Sequence, residues 1–147
     1  MVVRAVVDTN VLVSGLLVAE GPPRPVLDAW LDDRFTLVTS PYQLEELTHV
    51  LAYPRVAERI RLAPAELAAI LSGLMTLALV TPGDLQRPGV TRDPKDDAIL
   101  ARAIVGCAEE GAAEYIVSGD HDLLSLGETR GFQAVTPRRF LEVIARP

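Results

Sequence analysis

Most of the familiar equipment of hydrolytic enzymes is missing from this chain. It holds one cysteine, Cys107, which excludes an internal disulfide and a cysteine-based zinc site. Cys107 falls in an apolar helical pattern, and free cysteines of that kind usually pack as small hydrophobes, so we expect a core thiol. The two histidines, His49 and His121, form no HExxH pattern. There is no GxSxG nucleophile elbow and no Gly-Lys-Ser/Thr phosphate loop. Serine and cysteine nucleophiles, zinc peptidase chemistry and P-loop nucleotide hydrolysis all lose their usual support. No apolar run reaches the roughly 18–20 residues that a membrane-spanning helix needs. The opening apolar stretch meets Asp8 too early for a secretion signal, and with the lone cysteine this leads us to expect an intracellular, cytoplasmic protein.

What is present suits a globular enzyme. With 147 residues, 49% of them hydrophobic and 23% charged, the chain is long enough for one domain over residues 1–147 with a sizeable core. The net charge of −6 runs against a dedicated nucleic-acid surface, because phosphate neutralisation usually supplies much of the affinity. An acidic balance is easier to reconcile with RNA or DNA if carboxylates converge on metal ions, which invert the local charge.

Along the chain, residues 2–7 are short and β-branched and end at Asp8, the pattern of a buried strand with a polar C-terminal edge. Residues 10–17 suit a short helix, Gly21-Pro22-Pro23-Arg24-Pro25 a break, residues 26–31 a helix and 35–38 a second strand. Ser40 is placed to cap a helix opening at Pro41, with Leu44, Leu47, Val50 and Leu51 on one face. Pro54 ends that helix or begins another through Arg61. Pro64 opens an apolar helix to about Leu79, followed by a short strand at 79–81 and a loop at 82–88. Asp93 is the expected cap of a helix reaching Glu110, with Asp96 and Asp97 in its first turn, where acids favour the positive end of the helix dipole. Residues 114–117 and 132–135 read as strands, and Pro137 opens a closing helix to about Ala145. This alternation predicts an α/β fold with a mostly parallel sheet of four to five strands covered on both faces.

Ligands in such sheets bind outside the carboxyl ends of the strands. Asp8 and Asp120 stand where strands are expected to end, and Glu46 and Asp97 stand on helices able to pack beside those edges. Hard divalent ions take oxygen ligands, so a few carboxylates suffice to hold one and no nucleophilic side chain is then required. Each acid also has a plainer reading. Asp8 can simply cap the next helix, and Glu45 and Glu46 can be a solvated helix face. Asp93, Asp96 and Asp97 can be cap and dipole partners, and Asp120 and Asp122 turn formers.

The four segments together resemble the PIN-domain family, and within it the toxin (VapC-like) branch of bacterial toxin–antitoxin systems. Asp8-Thr9-Asn10-Val11-Leu12 after the valine-rich strand is similar to the opening motif, and Glu46-Leu47 within residues 40–51 to the second. Asp93-Pro94-Lys95-Asp96-Asp97-Ala98-Ile99-Leu100 is similar to the third, and Tyr115-Ile116-Val117-Ser118-Gly119-Asp120-His121-Asp122-Leu123-Leu124 to the fourth. The likeness implies a three-layer α/β/α sandwich and a Mg²⁺- or Mn²⁺-dependent ribonuclease that prefers single strands. It further implies a homodimer and a cognate antitoxin protein as partner. Carried over by position, it makes Asp8, Glu46, Asp97 and Asp120 the metal ligands or organisers of the attacking water. Asn10, Ser118 and Thr9 become substrate or ligand contacts. Glu45 stays as the alternative to Glu46, and Asp122 as a partner or substitute for Asp120.

Two other functions compete. A haloacid-dehalogenase-like phosphohydrolase also has an aspartate after its first strand, but it needs a second aspartate two residues later, where this chain has Asn10. A catalytically silent PIN fold serving as an RNA-binding or scaffold module is the non-enzymatic reading. All four acidic positions are filled, which weighs against it.

Overall fold

The computed structural model describes residues 2–18, 20–60, 63–76, 78–81, 97–129 and 131–145, the side chains of 97–100 and 129 aside. In order, the elements are β1 (Arg4–Val7), α1 (Thr9–Leu17), α2 (Pro23–Leu31), β2 (Thr36–Thr39), α3 (Pro41–Ala52), α4 (Pro54–Ala57) and α5 (Pro64–Thr76). Then come β3 (Leu79–Val80), α6 (Asp97–Glu110), β4 (Tyr115–Val117), α7 (His121–Leu124), β5 (Glu128–Thr129), β6 (Phe132–Val135) and α8 (Pro137–Ala145).

The strands form one sheet in the order β3-β2-β1-β4-β6-β5. The first five of that order run parallel, and β5 pairs antiparallel with β6 at the edge. The α/β expectation therefore holds, with the two-residue β5 as an unforeseen addition.

Side-chain alternation along the strands divides the core in two. Ala5, Val7, Leu37, Val117 and Val135 join one cluster with Leu16 of α1, Trp30 of α2, Leu47 of α3, Leu74 of α5 and Phe140 of α8. Val6, Val38, Ile116 and Ala134 point to the other face, against Ile104 and Cys107 of α6 and Leu123 of α7. Burial on both faces is why β1 and β4 read as continuous apolar runs rather than alternating ones. Cys107 is fully buried, as the apolar pattern implied. Just past α6, Gly111 lies so close to the sheet that a Cβ there would run into Val38.

Several boundaries depart from the expected ones. The 21–25 run is not a break throughout, because Pro23, Arg24 and Pro25 form the first turn of α2. Proline costs little there, since the first-turn N–H groups have no partner within the helix. The Ser-Gly-Asp-His-Asp segment does more than turn, because its last residues start α7. The helix opening at Pro64 stops at Thr76, short of Leu79. The 82–88 loop and the Asp93 and Asp96 positions lie outside the described residues. Among the described residues, no helix is long and apolar enough to cross a membrane.

Helix α8 is clamped by its one fully buried residue. The Phe140 ring meets Phe35 edge-on at a centroid distance of 4.9 Å and Tyr115 at 5.8 Å. Phe140→Ala should cost about 3–5 kcal/mol, the usual loss for a buried ring. Urea denaturation measures it, and a loss well below that range would show that α8 is not held this way.

Candidate active site

Strand order reverses between β1 and β4: from β1 the sheet runs outward to β2 and β3 on one side, and to β4 and β6 on the other. Loops leaving neighbouring strands in opposite directions open a crevice at such a point. Asp8 leaves β1 there, and Ser118-Gly119-Asp120 leaves β4 beside it.

The two ends are tied by backbone and side chain. The Asp8 N–H donates to the Val117 carbonyl at 2.9 Å, and the Ser118 N–H to the Val135 carbonyl at 3.0 Å, extending the ladders past the last paired residues. The Ser118 hydroxyl, fully buried, donates to Asp8 Oδ2 at 2.8 Å and accepts the Asp120 N–H at 2.9 Å. Asp8 Oδ1 accepts the Asn10 N–H at 3.3 Å and so caps α1. Asp120 Oδ1 accepts the Asp122 N–H at 3.0 Å and caps α7. The plainer capping readings of both acids are thus true as far as they go. One oxygen of Asp8 is given to the serine link, which a cap does not require.

Only 6% of Asp8 is exposed, and this burial pushes its carboxyl above the ordinary carboxylate range. The Ser118 hydroxyl and the Asn10 and Thr9 N–H groups oppose the shift, while repulsion from Asp120 adds to it. An open pocket of about 480 Å³ spreads in front of the pair. Its walls are Asp8, Asn10, Val11 and Ser14 from the β1–α1 segment, Gly119 and Asp120 after β4, and Pro23 and Pro137 at the starts of α2 and α8.

The donor set fits a hard divalent cation. Two repelling carboxylates face one water-accessible pocket, and Mg²⁺ is often held through one or two carboxylates while keeping several waters. Histidine and cysteine take no part in the pocket wall. Among the described residues, no group of three or more Asp, Glu, His or Cys side chains lies close enough to hold an ion together. Of the other expected ligands, Glu46 is on α3 and only 9% exposed, whereas Glu45 beside it is exposed. Asp97 is the first residue of α6, and its side chain lies outside the described residues. Asp122 is exposed in the first turn of α7.

Among the expected contact residues, Asn10 is exposed on the pocket wall. Ser118 is buried behind it. Thr9 is buried and lines a separate small cavity with Tyr42, Gln43, Ala103 and Ile104. Sequence reasoning missed Ser14, Gly119, Pro23 and Pro137 as pocket walls. The prolines signalled helix starts, but nothing in their spacing told what those starts would face.

The PIN domain family profile matches residues 4–122, and the chain belongs to the PIN domain family. Members of this family are generally nucleases and typically use a divalent metal, so this is a nuclease-type fold. The chain is 25% identical over 148 residues to Uncharacterized protein MJ1680 of Methanocaldococcus jannaschii, spanning 95% of this chain and 90% of that one. In fold it is similar to PAE2754 from Pyrobaculum aerophilum, known from its crystal structure, with a TM-score of 0.58 and 19% identity over 100% of both chains.

The raised Asp8 carboxyl has a definite sign for stability. In metal-free protein the folded state holds this proton to higher pH than the unfolded chain does. Stability from this group is therefore complete in acid and is lost as pH rises through the folded-state value. Asp8→Asn removes the charge but gives up the oxygen that accepts from Ser118, since an amide nitrogen only donates. The test therefore lies in the pH dependence: relative to wild type, the metal-free variant should gain in melting temperature as pH rises from acid to neutral. Melting curves at both pH values check this, and a difference independent of pH would contradict it.

Proposed function

We propose that the protein is a Mg²⁺- or Mn²⁺-dependent endoribonuclease acting at the crevice between β1 and β4. The observation that carries this reading is the Ser118 bridge, which holds the Asp8 and Asp120 segments together at the mouth of an open pocket. Asp8 and Asp120 would hold the cation, with Glu46 and Asp97 completing its surroundings. Burial of Glu46 and exposure of Glu45 support Glu46 as the acid of α3. The place of Asp120 on the pocket wall supports it over Asp122. When bound, the ion supplies a Lewis acid that polarises a phosphodiester oxygen and eases deprotonation of water.

The chain's own groups do the rest. Ser118 donates to one oxygen of Asp8 and fixes the plane of that carboxylate. The backbone N–H groups of Asn10 and Asp122 hold one oxygen each of Asp8 and Asp120. The Asn10 side chain would hydrogen-bond a phosphate or base edge of the bound strand, a role that its position on the pocket wall supports. Thr9, buried off the pocket, supports the start of α1.

The choice of RNA, and of the toxin role in a type II toxin–antitoxin pair, rests on the resemblance of the four motifs. So do a homodimeric state, a cognate antitoxin and a cytoplasmic location. The single sheet shared by the six described strands supports reading residues 1–147 as one PIN domain.

Single-stranded RNA should be cut in the presence of Mn²⁺, and Asp8→Asn should lower the rate at least about 100-fold, no less than the loss on removing a group that merely orients a metal ligand. Gel-based cleavage assays read it. Equal rates for the two proteins would end the nuclease reading.

A further inference from the structure

Backbone pairing of β1 with β2 stops at Val6 and Val38, one residue before the end of β1. The Val7 carbonyl, the last of β1 before Asp8, is met instead by a side chain. Gln43, in the first turn of α3 and 4% exposed, donates its Nε2–H to the Val7 carbonyl. Its Oε1 accepts from the Thr39 hydroxyl at 3.2 Å, and its backbone N–H donates to Ser40 Oγ at 3.1 Å. A carbonyl can only accept, so the amide nitrogen must face Val7, which leaves the amide oxygen for Thr39. The side-chain amide thereby acts as an extra rung between the ends of β1 and β2, and it fastens the first turn of α3 to both. Glu46 follows one turn later among the buried residues of the same helix, Tyr42, Gln43, Glu46 and Leu47.

We infer that Gln43 is a positioning residue: by fastening α3 to the last carbonyl of β1, it holds Glu46 in register with Asp8 and so sets the affinity of the centre for its cation. This rests on the nuclease reading. A glutamine that only satisfies buried polar groups would affect stability and leave metal affinity alone, which separates the two roles.

The test is the Kd for Mn²⁺, read from the free-ion electron paramagnetic resonance signal in titrations of wild type, Gln43→Met, Thr39→Val and Ile70→Ala. Gln43→Met keeps the volume and removes both side-chain bonds, and its Kd should rise about 10–100-fold, as for other groups that orient metal ligands. Thr39→Val removes one bond and should shift the Kd in the same direction by less. Ile70→Ala, in the α5 core, should lose stability without moving the Kd. A wild-type Kd in Gln43→Met overturns the inference and leaves the nuclease reading standing. If that variant does not fold, a wild-type Kd in Thr39→Val does the same. Wild type that binds no Mn²⁺ overturns both.

Discussion

Putting a carboxylate at the buried end of a central strand is unfavourable in water-poor surroundings, and the site depends on how Asp8 is made tolerable. Its oxygens are divided between the Ser118 hydroxyl and the Asn10 N–H, and its own N–H is taken by the Val117 carbonyl. The bonds from Ser118 and Asn10 oppose the burial that raises its carboxyl, while repulsion from Asp120 adds to it. The bond to Ser118 also links two segments 110 residues apart in sequence. Without it, the β1–β4 ladder would still bring the two strand ends together, but the Asp8 carboxylate would have no side-chain link to the Asp120 segment.

The rest of the fold serves that junction. Parallel pairing of β1 with both β2 and β4 puts the carboxyl ends of three strands on one edge of the sheet. Helices on both faces bury alternate residues of the same strands, which packs the sheet from both sides. Helices α2 and α8 then bring their proline-led starts to the pocket, with Phe140 anchoring α8 against Phe35 and Tyr115. The acidic net charge ceases to be awkward once part of it is concentrated where a cation would sit. Membership of the PIN family and a nuclease-type fold agree with this arrangement.

Much of this was legible beforehand, for local reasons. Ser40 followed by Pro41 marked the start of α3 because capping and proline tolerance depend on adjacent residues only, and the Ser40 hydroxyl does accept the Gln43 N–H. The apolar runs before Asp8 and Ser118 read as buried strands because burial on both faces leaves no alternation. Pro23 and Pro25 misled, since proline signals a break and a helix start equally well. Strand β5 and helix α7 were too short for any period to show.

By itself the sequence determined the order of strands and helices apart from α7 and β5, the acids at the expected strand ends and the resemblance carried by four motifs. All of these follow from neighbours along the chain. Only the tertiary structure decided that Ser118 bonds Asp8, that Thr9 is buried off the pocket while Asn10 lines it, and that Gln43 completes the edge between β1 and β2. Those relations join residues distant in sequence, and they depend on strand register and helix rotation, which the packing of two core clusters sets and no local pattern encodes.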